Sequence, residues 1–150
     1  MRKFHFSSNL DRKYYEALEE LLFFNKKQGF LIRDIEKSIE EYGAPRIVVD
    51  GETLRIGTDS INDVQNLFAF ESEAEDARLI GFILYFRPVS NKIVVLHIAV
   101  NEDYAFDGRF SDQALTIKLI SKVREIALRI RGVEYLSIAY GRDLIIPVRG

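Results

Sequence analysis

Two periodicities divide the chain. Over residues 8–43 apolar side chains return every three or four positions. Tyr14, Leu18, Leu21 and Leu22 share one helical face, and Leu31, Ile35, Ile39 and Tyr42 share a second, with charged residues between them. Ser8 or Asn9 stands where the cap of the first helix belongs, with Asp11 three residues after Ser8. Gly29 supplies a stop for that helix, and Gly43 followed by Pro45 ends the second.

From residue 46 the apolar spacing shortens. RIVVDGETLRIG sets Asp50-Gly51 between two β-prone runs, the pattern of a hairpin. TDSIND follows as a turn or short helix. QNLFAFES, RLIGFILYFRP and KIVVLHIAV then form three strands whose connecting loops, SEAEDA and PVSN, are short enough to make neighbours antiparallel. The central runs are apolar at nearly every position, so both faces of their sheet require a cover. Phe4 and Phe6 alternate around an exposed His5 as a short first edge strand.

After the loop VNEDYAFDGRFSDQAL the spacing is helical again. Ala114, Ile117, Ile120 and Val123, with Leu119, Ile126, Ala127 and Ile130, make a wide apolar stripe. VEYLSIAY is the next strand, so strand, helix and strand form a right-handed crossover joining parallel neighbours. RDLIIPVRG adds a short edge strand, which Pro147 keeps out of a central place. The expected fold is a single mixed α/β (α+β) domain over residues 1–150. It has a twisted, mostly antiparallel central sheet, one parallel β-α-β crossover, and helices on both faces.

Composition narrows the chemistry. The 150 residues hold 21 Lys and Arg against 23 Asp and Glu, a net charge of −2, which provides no global field for nucleic acid or an anionic membrane. The chain has no cysteine, which excludes thiolate catalysis, disulfides and Cys-based zinc sites. The first residues contain no apolar signal region and no later run is long enough for a membrane span, so a cytoplasmic protein is expected. Neither a metal-ligand cluster, a P-loop, a serine-nucleophile motif nor an RNA-binding aromatic signature is present.

The order of elements over residues 65–140 resembles the GNAT (N-acetyltransferase) superfamily. QNLFAFE, LIGFILYF, KIVVLHIAV and VEYLSIAY look like its second to fifth strands, and residues 113–131 look like its main helix. The resemblance implies acetyl-CoA as cofactor and an amine of a small molecule or protein as acceptor. It places the pantetheine against main-chain groups around Ile98 and Val100. The pyrophosphate falls to the loop and helix start, where Gly108, Arg109, Ser111, Gln113 and Ala114 are the family-like positions.

The residues of that loop leave two readings open. A strand, a glycine-containing loop and a helix start commonly bind anions. Here Glu102, Asp103, Asp107 and Asp112 face a single Arg109, and unit charges ~4 Å apart at a dielectric near 20 interact by about 4 kcal/mol. Asp112 as a helix cap would occupy the N–H groups a phosphate needs. The loop is thus either an anion site whose acids point away or a solvated, self-capped connection.

Two residues are candidates for catalysis. The position that aligns with the family's strand carboxylate is Leu96; His97 beside it has a suitable unperturbed pKa of about 6.5 for a base. Regular alternation would set the two on opposite faces, so His97 is either a base reached differently or a packing residue. Tyr140 is the candidate acid, or else an aromatic covering the sheet edge. A missing pocket wall falls to the hairpin or to a partner subunit in a homodimer. The alternative to an acyltransferase is a GNAT-like ligand-binding or interaction module without transferase activity.

Overall fold

The computed structural model describes residues 3–23, 43–73, 76–101, 104, 115–138 and 145–148. In chain order these residues form β1 (Lys3–Ser7), β2 (Leu10–Asp11), α1 (Tyr15–Phe23), β3 (Pro45–Asp50), β4 (Thr53–Thr58), β5 (Gln65–Glu73) and β6 (Asp76–Val89). There follow β7 (Lys92–Val100), α2 (Leu115–Leu128), β8 (Tyr135–Ile138) and β9 (Ile145–Pro147). The second expected helix, over residues 31–42, lies outside the described residues.

The strands form two sheets. One has the order β1-β5-β6-β7-β8-β9, the other β2-β4-β3. Every neighbouring pair is antiparallel except β7 with β8, which are parallel and have α2 between them in the chain. The architecture is mixed α+β, with the crossover where the helical period interrupts the strands. β9 occupies the sheet edge, as Pro147 requires.

Each face of the large sheet has its own core. On one, Leu67, Ile83, Tyr85, Val95 and Val100 meet Leu115, Leu119, Val123 and Ala127 of α2. On the other, Phe68, Phe82, Leu84, Val94 and Leu96 meet Leu18, Leu21 and Leu22 of α1 and Leu54 and Ile56 of the small sheet. The i, i+4 row beginning at Leu115 defines the buried seam of α2. Ile117, expected in the apolar stripe, is instead 64% exposed, because the seam is narrower than the stripe and turns that residue outward.

The first helix starts differently from expectation. Asp11, rather than Ser8 or Asn9, is the cap: its carboxylate accepts from the Lys13 N–H at 2.8 Å, and a short 3-10 turn over Arg12–Tyr14 leads into α1. Residues 8 and 9 are used by the chain's passage from β1 to β2 (Asn9 N–H donates to Ser7 Oγ at 3.0 Å). The hairpin closes at the pair Asp50 and Thr53, one residue later than the Asp-Gly signal suggests, with Gly51 at φ +62.

A buried amide joins the sheets. Asn66 of β5 accepts from the Ile56 N–H at 2.6 Å and returns a bond from Nδ2 to the Ile56 carbonyl at 3.0 Å. Its side chain thereby imitates a neighbouring strand beside β4, on the edge where β2 pairs only as far as Leu54. Among the described residues no helix is long and apolar enough to cross a membrane.

Asn66→Ala strands a buried N–H and carbonyl at Ile56, each costing about 1–3 kcal/mol. The expected loss is about 3 kcal/mol, read as a lower urea midpoint; a change within error would show that the amide is dispensable. Gly81→Ala tests a tighter contact, because a Cβ there would lie 2.9 Å from the Ala99 carbonyl oxygen and 3.4 Å from Leu115 Cδ2. Overpacking of this kind costs about 1–3 kcal/mol, and an unchanged melting temperature would contradict it.

Candidate functional site

The sequence-based site centres on β7 and the start of α2. β7 pairs with β8 from Lys92 and Tyr135 to Val95 and Ile138, then continues to Val100. Just past Val95, the last residue paired with β8 among the described residues, β7 carries an extra residue. Leu84 stands opposite His97 and Tyr85 opposite Val95, which leaves Leu96 as a β-bulge.

This bulge corrects the expectation that Leu96 and His97 face opposite sides. Leu84, the cross-strand partner of His97, belongs to the α1-side core, as does Leu96. The His97 ring stacks on Phe82 of the same core with centroids 5.7 Å apart. Both residues therefore point toward α1 and the small sheet, because the inserted residue cancels one step of alternation. Ile98 and Val100 point to the α2 face. Val100 is buried, and Ile98 is only half-buried amid buried neighbours.

Burial sets the chemistry of His97. The residue is 7% exposed, and desolvation pushes its imidazole down from 6.5 to about 4. At neutral pH the ring is uncharged and a weak base. That state suits a side chain packed on Phe82.

Past β7 the chain folds back over the sheet. Asn101 N–H donates to the Ile80 carbonyl at 2.7 Å, and Tyr104 N–H to the Asn101 carbonyl at 2.8 Å. Tyr104 is buried, and its hydroxyl donates to the carboxylate of Glu71 on β5. Its ring meets Phe4 edge-on, with centroids 5.8 Å apart. This tyrosine fastens the beginning of the loop across β5 and β1, on the face that α2 covers. Glu71 was not singled out by sequence; the available signal was a carboxylate completing the row Leu67, Ala69 and Glu71 on an otherwise apolar face.

Of the sequence-predicted site residues, the structure describes His97, Ile98 and Val100, and separates His97 from the other two by the thickness of the sheet. Gly108, Arg109, Ser111, Gln113, Ala114 and Tyr140 lie outside the described residues. Among the described residues no group of three or more histidine or carboxylate side chains has the arrangement of a metal site.

The buried imidazole has a measurable consequence. The unfolded chain takes up a proton at His97 near pH 6.5, whereas the folded chain does so only near 4. Its contribution to stability is full above pH 6.5 and is lost as pH falls toward 4, by roughly 3 kcal/mol. Urea midpoints measured at both ends of this window should fall more for the native chain than for His97→Leu. Equal pH slopes in the two proteins would refute this origin.

No protein-family model and no curated protein sequence matches the chain.

Proposed function

We propose that the protein is a GNAT-type, acyl-CoA-dependent N-acyltransferase acting on an amine of a small molecule or protein. One observation carries the reading: the sheet's parallel pair, β7 and β8, flanks the crossover helix α2, and β7 bulges at Leu96, next to Val95, the last of its residues paired with β8 among the described residues. The resemblance of residues 65–140 to that superfamily asks for a strand that parts from its parallel neighbour at this place.

The residues present fit the cofactor at the pantetheine end. Ile98 offers a half-buried apolar surface on the α2 face, beyond the stretch of β7 that is paired with β8 among the described residues. The main chain of Ile98 and Val100 would hold the pantetheine. Gly108, Arg109, Ser111, Gln113 and Ala114 would hold the pyrophosphate. Bound acyl-CoA supplies an activated acyl carbon and a thiol leaving group. The protein's share of catalysis is alignment, which replaces a bimolecular encounter by a positioned one. With acyl-CoA bound, the acceptor nitrogen would bond to the acyl carbon as the carbon–sulfur bond broke, and the nitrogen would lose a proton. His97 lies in the opposite core with a depressed pKa, so this proton passes to water in the proposed reaction, while Tyr140 is the candidate donor to the departing thiolate.

A second reading is a GNAT-like binding module without transferase activity. It is favoured by the loop's sequence, which sets four carboxylates against the single Arg109 and so repels a pyrophosphate.

Thermal denaturation with acetyl-CoA and with free CoA separates the two. Saturation at ~100 times the dissociation constant stabilises the fold by about 2.7 kcal/mol. Binding should weaken in Arg109→Ala. An unchanged melting temperature in millimolar CoA would overturn the transferase reading and support the second.

A further inference from the structure

The β1 edge of the large sheet, at the opposite end from β8 and β9, carries a second surface. Phe4 and Phe6 point toward α2, and each lies beneath a lysine: Lys118 Nζ is 4.4 Å from the Phe4 ring centroid and Lys122 Nζ 5.4 Å from that of Phe6. Helix and strand are in step here. Four residues of helix rise about 6 Å, and two residues of strand about 6.8 Å. Any chain laid beside β1 inherits the same match.

A groove of about 460 Å³ lies alongside, with Phe4, Phe6, Leu67 and Ile126 as apolar lining and Lys122 and Arg129 as cationic walls. Glu125 is the one acid among the described residues that line it, and its carboxylate is 3.4 Å from Lys122 Nζ. Among the described residues Lys118 and Arg129 have no carboxylate partner. β1 pairs with β5 on one side, and the described strands place none on the other. An edge strand of this kind is a template for main-chain pairing.

We propose that this edge docks an extended acidic segment of a partner protein. The segment adds beside β1 as a further strand, its alternate side chains turned to the α2 face, where carboxylates meet Lys118, Lys122 and Arg129. Charge and period together select this occupant. A second copy of the chain is a poor one, because β1 bears Lys3 and His5 with no acid, and joining two β1 edges would bring the α2 cations together. Nucleic acid has no strand main chain to pair, and the protein's net charge of −2 provides no field to attract it. The proposal stands whether or not the protein is a transferase.

The test uses the full chain and a fluorescent peptide of alternating Glu and Val, roughly six residues long, the usual length of a strand. Fluorescence anisotropy at low salt should show saturable binding that declines as salt is added. The exposed double variant Lys118→Glu/Arg129→Glu should bind about tenfold more weakly with an unchanged circular dichroism spectrum, the scale expected for two reversed surface charges. Methylating alternate peptide nitrogens on the pairing edge should abolish binding. The proposal is overturned by absence of binding, by equal binding of the methylated peptide, or by tighter binding of an oligonucleotide of equal charge. It is also overturned if the native chain forms a dimer that the double variant disrupts.

Discussion

Strands β6 and β7 are apolar on both faces, and everything else in the fold answers that condition. A sheet whose centre is Leu79, Ile80, Phe82, Ile83, Leu84, Val94, Val95 and Leu96 cannot leave either side in water. One cover is α2, seated through Leu115, Leu119, Val123 and Ala127; the other combines α1 with the small sheet. Fully burying a side chain such as Ile83 on the α2 face or Phe82 on the other stabilises the fold by roughly 1.5–3 kcal/mol, so neither layer is dispensable. The composite cover has a polar joint at Asn66, whose amide satisfies the Ile56 main chain without requiring another strand.

Two bulges then decide what each face contains. The pairing of β5 with β6 slips by one residue at Ile80, which puts Gly81 on the α2 face directly under Leu115. The slip in β7 at Leu96 sends His97 into the opposite core. In both strands an inserted residue redirects the side chains beyond it while leaving the covalent order unchanged. The same device separates the imidazole from Ile98 and Val100, and in the proposed transferase reaction it leaves alignment, rather than proton abstraction by His97, as the chain's contribution.

The two ends of the large sheet are managed differently. At β9, Pro147 removes a main-chain donor and blunts the edge. At β1 the guard is electrostatic: Lys3 on the strand and Lys118 and Lys122 above its phenylalanines. Lysines on an edge discourage addition of a like strand while remaining attractive to an acidic one. Tyr104, bonded to Glu71 and packed on Phe4, fastens the loop after β7 to this side of the molecule. Loop and edge strand are thereby mechanically connected through one aromatic pair.

Much of the architecture is a local property of the chain. Alternation around His5, the continuous apolar runs of β6 and β7, the turn near Gly51, the helical period after residue 114 and the proline in β9 each express backbone geometry within a few residues, and the order β5-β6-β7-β8 follows from short loops and one crossover, whereas the places of β1 beside β5 and β2 beside β4 do not. What local sequence does not carry is register between strands. A bulge is a mismatch between two partners, so neither KIVVLHIAV nor RLIGFILYF reveals it alone, and the faces of His97 and Gly81 were decided only when the strands paired. The exposure of Ile117 depended likewise on which seam of α2 met the sheet, and the bond from Tyr104 to Glu71 joins residues that only the folded chain brings together. The sequence by itself determined the elements, because periodicity is intrinsic to helix and strand; tertiary structure decided the side-chain environments, because those depend on partners distant in the chain.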